Sequence, residues 1–315
     1  VQRPDVCVIG EINCDLILYG LPATLEPEKE TLARGFRLTL GSSSAIFAHN
    51  LSALGTRTGI VAKIGSDPLG QVALDRLSKA GVDVSAVRKS PGATSTGVTV
   101  ILAQSAGRYI LTYPGTMAEF CYEDIDREYA FSARHLHLSS FFLQPALRPQ
   151  VGRLFREAKE KGLTTSLDTN DDPAGQWAGD LIEVLPFIDV FLPNEREAKA
   201  IARCEELPEA IEKLAVLSRI VAIKLGARGA IAREGRKEWN CPAVRVETVD
   251  PVGAGDSFDA GFIHKFLSGA GCEECLRFAN VAGAFSTTRE GGTEAFRDSA
   301  AMKEFFHKQQ RYAER

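Results

Sequence analysis

The sequence predicts a doubly wound, mostly parallel α/β domain that carries a second, small β-sheet, and three observations lead there. From residue 59 to residue 226 short apolar runs alternate with amphipathic stretches, the βαβα rhythm of a parallel sheet covered on both faces. Residues 94–113 interrupt that rhythm: TGVTVILA and RYILTY are β-rich, with Ser105-Ala106-Gly107 as a turn between them, and residues 31–40 join them in the small sheet. Finally, the turn Gly253-Ala254-Gly255 follows the alternating run AVRVETV and precedes Phe258, Phe262 and Phe266, spaced as on one buried helix face.

Each element has its own signal. VCVIG at 6–10 is an apolar run ending in glycine, a buried parallel strand. Residues 42–54 read as a helix stopped by Gly55, and GIVAKIG at 59–65 as the next strand. The stretch 68–81 is a helix with Leu69, Val72, Ala73 and Leu77 on its apolar side. HLHLSS (135–140) is a strand, 149–161 a helix, TTSLDTN (164–170) a strand, 175–185 a helix and IDVFLPN (188–194) a strand. Two helices across 195–218 lead to the strand IVAIKLG (220–226), and AIAREGRKEWN reads as a hairpin. AVRVETV is then a strand that the glycine turn joins to a helix, followed by an Ala- and Gly-rich helix over 273–289. With no internal repeat or low-complexity linker, residues 1–315 form one domain.

Composition narrows the partners. A chain of 315 residues with 44% hydrophobic content buries a large core, and a net charge of −4 without any long Lys/Arg run excludes nucleic acid and anionic membranes as electrostatic partners. A small molecule is expected instead. No apolar stretch approaches the roughly 20 residues that span a bilayer, and the N-terminal residues run into a strand without a signal-peptide pattern, so the expected location is the cytoplasm. Seven scattered cysteines, one CxxC at Cys272 and Cys275 among them, fit reduced core residues better than disulfides or a zinc site.

In an open parallel sheet, ligands bind beyond the carboxyl ends of the strands. Here those ends carry Asn13 and Asp15, Asp168 and Asn170, Asn194 and Glu197, Lys224 and Gly226, then Asp250 through Asp256. The two glycines of GAGD let backbone N–H groups at a helix N-terminus point outward as a seat for an anion. A carboxylate there, Asp256, would repel the anion unless it takes a proton from an attacking nucleophile, a combination that suggests phosphoryl transfer. GxxxxGK[ST], an early GxGxxG and the protein-kinase HRD and DFG motifs are all missing.

Four motifs in order make the chain resemble, from end to end, the ribokinase family of carbohydrate kinases, the PfkB-type sugar kinases. They are the GAGD turn, Asn194-Glu195-Arg196-Glu197 as NxxE, Lys224-Leu225-Gly226-Ala227-Arg228-Gly229 as the nucleotide loop, and the glycine-opened helix at 41–55. The resemblance implies a β-lid from segments near 15–40 and 92–117, ATP as phosphoryl donor and Mg²⁺. It makes Asp256 the base, with the N–H groups of Gly253, Ala254 and Gly255 holding the transferred charge. Asp15 would bond sugar hydroxyls, with Asn13, Gly41, Ser42, Asn170 and Arg108 of the lid nearby. Asn194 and Glu197 would face phosphates and a hydrated Mg²⁺, Lys224, Gly226 and Gly229 would line the nucleotide, and Asn280 would sit beside its base. Asp250 would lie at a site for a monovalent cation such as K⁺, and a homodimer would form through the lid.

The departures are specific. Gly41-Ser42 stands where a glycine pair is usual, Ile46 where Asn is usual, and Pro251-Val252 where two threonines are usual. Asp172 stands where some members have Arg, beside Asp171, which argues for a neutral sugar over a sugar acid or sugar phosphate unless Arg108 supplies a cation. The expected reaction is phosphorylation of a primary hydroxyl of a small neutral sugar. The alternatives of the same fold are a 2-keto-3-deoxygluconate-type sugar-acid kinase and a nucleoside kinase, the latter favoured if Ile46 and Phe47 wall a base.

Overall fold

A computed structural model describes residues 3–104, 107–177 and 179–313. The chain enters the main sheet with β1 (Val6–Ile9), then leaves it for the antiparallel pair β2 (Asn13–Leu21) and β3 (Gly35–Gly41). It returns through α1 (Ser43–Ala53) to β4 (Thr58–Val61). A two-residue strand β5 (Lys63–Ile64), the helix α2 (Pro68–Lys79) and β6 (Arg88–Lys89) follow, with β5 and β6 paired. The small sheet is completed by β7 (Gly97–Gln104) and β8 (Gly107–Tyr113), in the order β3-β2-β7-β8. Ser105 and Ala106 of the expected turn lie outside the described residues.

The second half keeps the expected alternation. It runs α3 (Arg127–Ala130), β9 (His135–Leu138), α4 (Val151–Glu160), β10 (Thr164–Leu167), α5 (Asp180–Val184) and β11 (Val190–Phe191). Then come α6 (Glu195–Ala202), α7 (Leu207–Ala215), β12 (Ile220–Lys224) and the hairpin β13 (Ala230–Glu234) and β14 (Lys237–Cys241). The helices α8 (Ala254–Leu267), α9 (Cys272–Ser286) and α10 (Ser299–Ala313) close the chain. The eight-stranded main sheet has the order β14-β13-β12-β11-β10-β9-β1-β4, parallel except for the hairpin at its edge. Strand order reverses at β1, so the crevice beyond the strand ends opens there.

Alternating side chains of the parallel strands feed two separate cores. Val6, Val8, Ile220 and Ala222 pack against α1, α2, α8 and α9 on one face, while Cys7, Ile9, Val221 and Ile223 meet the α3–α7 layer on the other. On α4 the buried residues are Val151, Leu154, Phe155 and Ala158, a single apolar stripe. The cysteines are all free, and Cys7, Cys14, Cys272 and Cys275 are buried. Among the described residues, no helix is long and apolar enough to cross a membrane.

Several boundaries differ from the sequence reading. GIVAKIG splits between β4 and β5, which belong to different sheets, and residues 31–34 stay outside the strand that begins at Gly35. The helix expected over 175–185 starts only at Asp180, because Gly175, Trp177 and Gly179 hold left-handed φ values of 63°, 49° and 82°. AVRVETV is not a strand. Its residues join no sheet, and the Val249 N–H bonds the Thr287 carbonyl at 2.8 Å; Val244 and Val246 are half-buried while Arg245 and Glu247 are exposed, and the segment edges a groove where a neighbouring strand was expected.

Candidate active site

Gly253 makes the anion turn possible. Its φ is 73°, and a Cβ on it would come within 2.5 Å of the Gly292 Cα, so no other residue fits without moving the opposite loop. Helix α8 starts from this turn with the N–H groups of Gly253, Gly255 and Asp256 lacking acceptors among the described residues, whereas that of Ala254 points to the Pro251 carbonyl at 3.3 Å. The open donors thus keep Gly253 and Gly255 of the expected Gly253-Ala254-Gly255 set, with Asp256 in place of Ala254. Asp256 stands at their edge, part-exposed at the bottom of the cleft. Burial first, then the charge of Asp168, pushes its carboxyl up to about 7, against the lowering pull of Lys224 and a hydrogen bond from Ser43.

A second group of polar side chains stands on β2, in the small sheet. Asn13 lies between Gly41 and Gly97 in register, and a Cβ at Gly41 would overlap the Asp15 carboxylate, one at Gly97 the Asn13 amide oxygen. The glycines leave room for two polar side chains that are 3% and 5% exposed, and the Asn13 Oδ1 is buried with no partner among the described residues. An orphaned buried acceptor of this kind is costly unless a ligand serves it. Burial, then Asp256 and Asp250, push Asp15 up to about 7, and Arg108 of β8 acts in the opposite direction.

Two expected contacts serve the scaffold instead. Ser42 caps α1: its hydroxyl accepts from the Ala45 N–H at 3.2 Å and donates to the Glu11 carbonyl at 2.6 Å, at a left-handed φ of 67°. Since Gly tolerates that conformation and Ala does not, Ser42→Ala is expected to cost about 1–2 kcal/mol and Ser42→Gly less than half of that, an order readable from denaturation midpoints. Asp172 accepts from the N–H groups of Ala174, Gln176 and Trp177 at 2.8–3.0 Å, and Asp171 pairs with Arg196. Neither is engaged with the acceptor pocket, so the charge argument drawn from Asp172 fails: its carboxylate is spent on a turn. Asn170 donates to the Ser43 and Ser140 hydroxyls at 2.8 and 3.2 Å.

On the other side of Gly255 a cavity of about 560 Å³ is lined by Lys224, Gly226, Gly229, Val244, Val246 and Asn280. It brings together four of the six residues expected at the nucleotide, Lys224, Gly226, Gly229 and Asn280, without Asn194 and Glu197. Asn280 donates to the Cys241 and Pro242 carbonyls at 3.0 and 3.1 Å, and a Cβ on Gly229 would overlap Cys241, so both hold the extended segment after β14 as the groove's wall. Asn194 and Glu197 cap α6 reciprocally, each side chain accepting the other's N–H at 2.9 Å. Burial and then Asp168 push the Glu197 carboxyl up to about 7. Asp250 accepts from the Val252 and Gly291 N–H groups, both at 2.9 Å, and so clamps the anion turn to the Gly291-Gly292 loop.

A model of the pfkB family of carbohydrate kinases matches residues 3–298. The chain belongs to this family. It is therefore a phosphotransferase. It is 33% identical to an ATP-dependent ribose-1-phosphate kinase of Halopiger xanaduensis, over 91% of this chain and 93% of that one. An uncharacterized sugar kinase of Archaeoglobus fulgidus is 31% identical over 78% of this chain and 96% of its own. Among solved structures, Arabidopsis thaliana ribokinase complexed with ribose and ATP superimposes with a TM-score of 0.84 at 25% identity, covering 96% and 99% of the two chains.

This pfkB-family kinase also uses residues that sequence reasoning passed over. Lys224 donates to Asp259 at 2.9 Å as well as to Asp168 at 3.1 Å, and Asp259 is only 1% exposed. The signal was present, because Asp259 follows Asp256 by one helical turn on α8 and the two share a face. Asp168, Asp256, Asp259 and Glu197 thus crowd round one ammonium, an acid excess that fits a divalent cation. Among the described residues no three such side chains form a cage, which suits an ion that keeps its waters and binds through substrate phosphates. Glu294 ties β3 of the small sheet to α2, accepting from Thr39 at 2.9 Å and Arg76 at 2.8 Å.

Proposed function

We propose that this pfkB-family kinase transfers the γ-phosphoryl group of ATP to a primary hydroxyl of a small neutral sugar. The observation that carries the reading is the place of Asp256: next to Gly255 of the 560 Å³ groove, near enough to Asp15 to raise its carboxyl, and in a turn whose Gly253, Gly255 and Asp256 N–H groups lack acceptors among the described residues. Asp256 takes the proton of the acceptor hydroxyl, while the N–H groups of Gly253, Gly255 and Asp256 face the charge of the group in transit. Asp15 and Asn13 orient the sugar through its hydroxyls. Mg²⁺, held through water by Glu197 and its carboxylate neighbours, would offset the phosphate charge when bound. Asp250 and nearby carbonyls are the proposed seat of K⁺, and the cytoplasm is the proposed location.

Acids dominate the acceptor pocket, which favours hydroxyl donors over anions. Arg108 is the cation whose charge reaches Asp15, and with the ribose-1-phosphate kinase relative it makes a sugar phosphate the second reading. The Ile46–Phe47 wall that would favour a nucleoside is not formed, because Phe47 is fully buried and stacked on His137 at 3.7 Å, and Ile46 packs on Gly292. Coupled ADP release with neutral sugars, sugar acids, sugar phosphates and nucleosides tests the proposal. A specificity constant higher for any anionic acceptor than for every neutral sugar would overturn the neutral assignment.

The small sheet is the proposed lid. Its outer strand β8 is exposed along its whole length, and Phe36, Tyr109, Ile110, Leu111 and Tyr113 are 52–73% exposed, an apolar face suited to a second lid in a homodimer. Closure over bound sugar excludes water from the transferring group. Hydrogen exchange in 97–104 and 107–113 is expected to slow when a true substrate binds, and exchange unchanged by substrate would reject the lid.

A further inference from the structure

Asn50 lies on α1, is fully buried, and reaches both walls of the anion turn. Its amide nitrogen donates to the Gly292 carbonyl at 3.0 Å and to the Ser257 hydroxyl at 2.9 Å. Ser257, near the start of α8 and likewise fully buried, donates its own proton to the Gly253 carbonyl at 2.6 Å. Gly253 and Gly292 face each other so closely that a Cβ on either would meet the other's Cα, at 2.5 and 3.3 Å. One amide thus holds both sides of that contact. Ile46, one helical turn before Asn50 on the same face of α1, packs on Gly292 as well.

Valence fixes the direction of these bonds. The Gly292 carbonyl only accepts, so the atom facing it is the amide nitrogen, and the Asn50 oxygen faces His49 Nδ1 at 2.8 Å. That ring nitrogen therefore carries the proton. His49 is 3% exposed, and burial pushes its imidazole down to about 4, so the ring is neutral. Both amide protons and the amide oxygen are engaged, which leaves the Asn50 side chain a single orientation. Asp250 grips the turn by the N–H groups of Val252 and Gly291, while Asn50 and Ser257 take the carbonyls of Gly292 and Gly253, so the turn is bracketed by acceptors and by donors. The surrounding core is apolar, with Phe47, Leu51 and Phe262 in it. A buried amide is tolerated there because every donor and acceptor is met, and a network so satisfied specifies one backbone arrangement.

We propose that Asn50 is a positioning residue which, through Ser257 and Gly292, holds the contact between Gly253 and Gly292 and with it the aim of the Gly253, Gly255 and Asp256 N–H groups at the phosphoryl group in transit. The proposal rests on the reading of that turn as the seat of the transferred charge. It also gives α1 a place in the reaction: the helix follows Gly41, which packs on Asp15, and grips the turn further along, so one rigid element spans the acceptor and phosphoryl sides.

Kinetics on the intact chain test it, with ATP and the best acceptor from the ADP-release assay as substrates. Asn50→Leu keeps the size of the side chain and removes both donor bonds. It is expected to lower kcat about 10- to 100-fold, the scale of a small misplacement at a reacting site, with KM for either substrate within about twofold of wild type because the turn serves the transition state. Counting sites by stoichiometric ATP binding separates this from a loss of folded enzyme. Wild-type kcat per site, or a raised KM with kcat intact, would overturn the proposal. Should Asn50→Leu fail to fold, Ser257→Ala cuts only the link to Gly253; a kcat loss of about 10-fold is expected there, and wild-type kcat would equally overturn it. Where both fold, Asn50→Leu is expected to cost less in the Ser257→Ala background than in the wild type, since the two act along one path, and losses that simply multiply would mark separate packing defects and overturn the proposal. Turnover retained by Asp256→Asn would remove the reading of the turn and the proposal with it, whereas wild-type kcat in Asn50→Leu, in an enzyme that Asp256→Asn disables, removes Asn50 only.

Discussion

Asp256→Asn is expected to lower turnover by about 10² to 10⁴ while nucleotide affinity stays near wild type. The amide keeps the size of the side chain but cannot take a proton from the acceptor hydroxyl. The pH dependence follows from the same carboxyl. With Asp256 and Asp15 both pushed up to about 7, activity should rise with pH through that region, because below it the base already carries a proton. Stability runs the other way: a carboxyl raised in the folded state contributes stability that is present below its unfolded value and lost as pH rises through about 7. The ligand-free Asp256→Asn variant should therefore melt at or above wild type at pH 8. Retention of more than about a tenth of wild-type turnover would remove Asp256 from the mechanism.

Lys224→Met is the second large effect, and it concerns the fold. Lys224 sits within hydrogen-bonding distance of Asp168 and Asp259, and its charge also faces Asp256 and Glu197. Burial by itself raises the Asp259 carboxyl, and Lys224 opposes that shift. Removing the one ammonium leaves the buried carboxylates to repel one another, and breaking a buried pair from one side costs about 3–5 kcal/mol. Replacing Asp259 by leucine in the same chain removes one of the unpaired charges and should recover part of the loss. Denaturation midpoints of the single and double variants measure both effects; an unchanged midpoint in Lys224→Met would mean that solvent or an ion already compensates these acids.

The residues that were legible in the sequence share a local cause. Gly253 and Gly255 flank a single alanine and precede a helix, so an N-terminal anion seat follows from nearest-neighbour chemistry. Asn194 and Glu197 stand three apart, a spacing that makes a capping box from local contacts alone. Two other readings went astray. Asp172 beside Asp171 looked like an acidic wall for the substrate, but its three N–H partners lie within the next five residues and turn it away from the pocket. AVRVETV looked like a strand because one side is apolar, and alternation cannot say whether that side meets a sheet or a groove.

By itself the sequence determined the alternation of strands and helices, the interrupting small sheet, the anion turn and the acid that stands in it. These depend on periodicity, glycine conformation and helix ends, all properties of a few consecutive residues. Only the tertiary structure decided which polar residues are occupied and which are free. Ser42, Asp172 and Asp250 spend their oxygens on backbone N–H or C=O groups, whereas Asn13 keeps a buried oxygen without a partner among the described residues. It also brought Glu11, Ser140 and Asn170 together from the ends of three parallel strands, and Lys224 to Asp259 across the sheet. Such pairings depend on chain segments separated by tens to more than a hundred residues, whose meeting is set by sheet order and packing and leaves no mark on the local pattern of either partner.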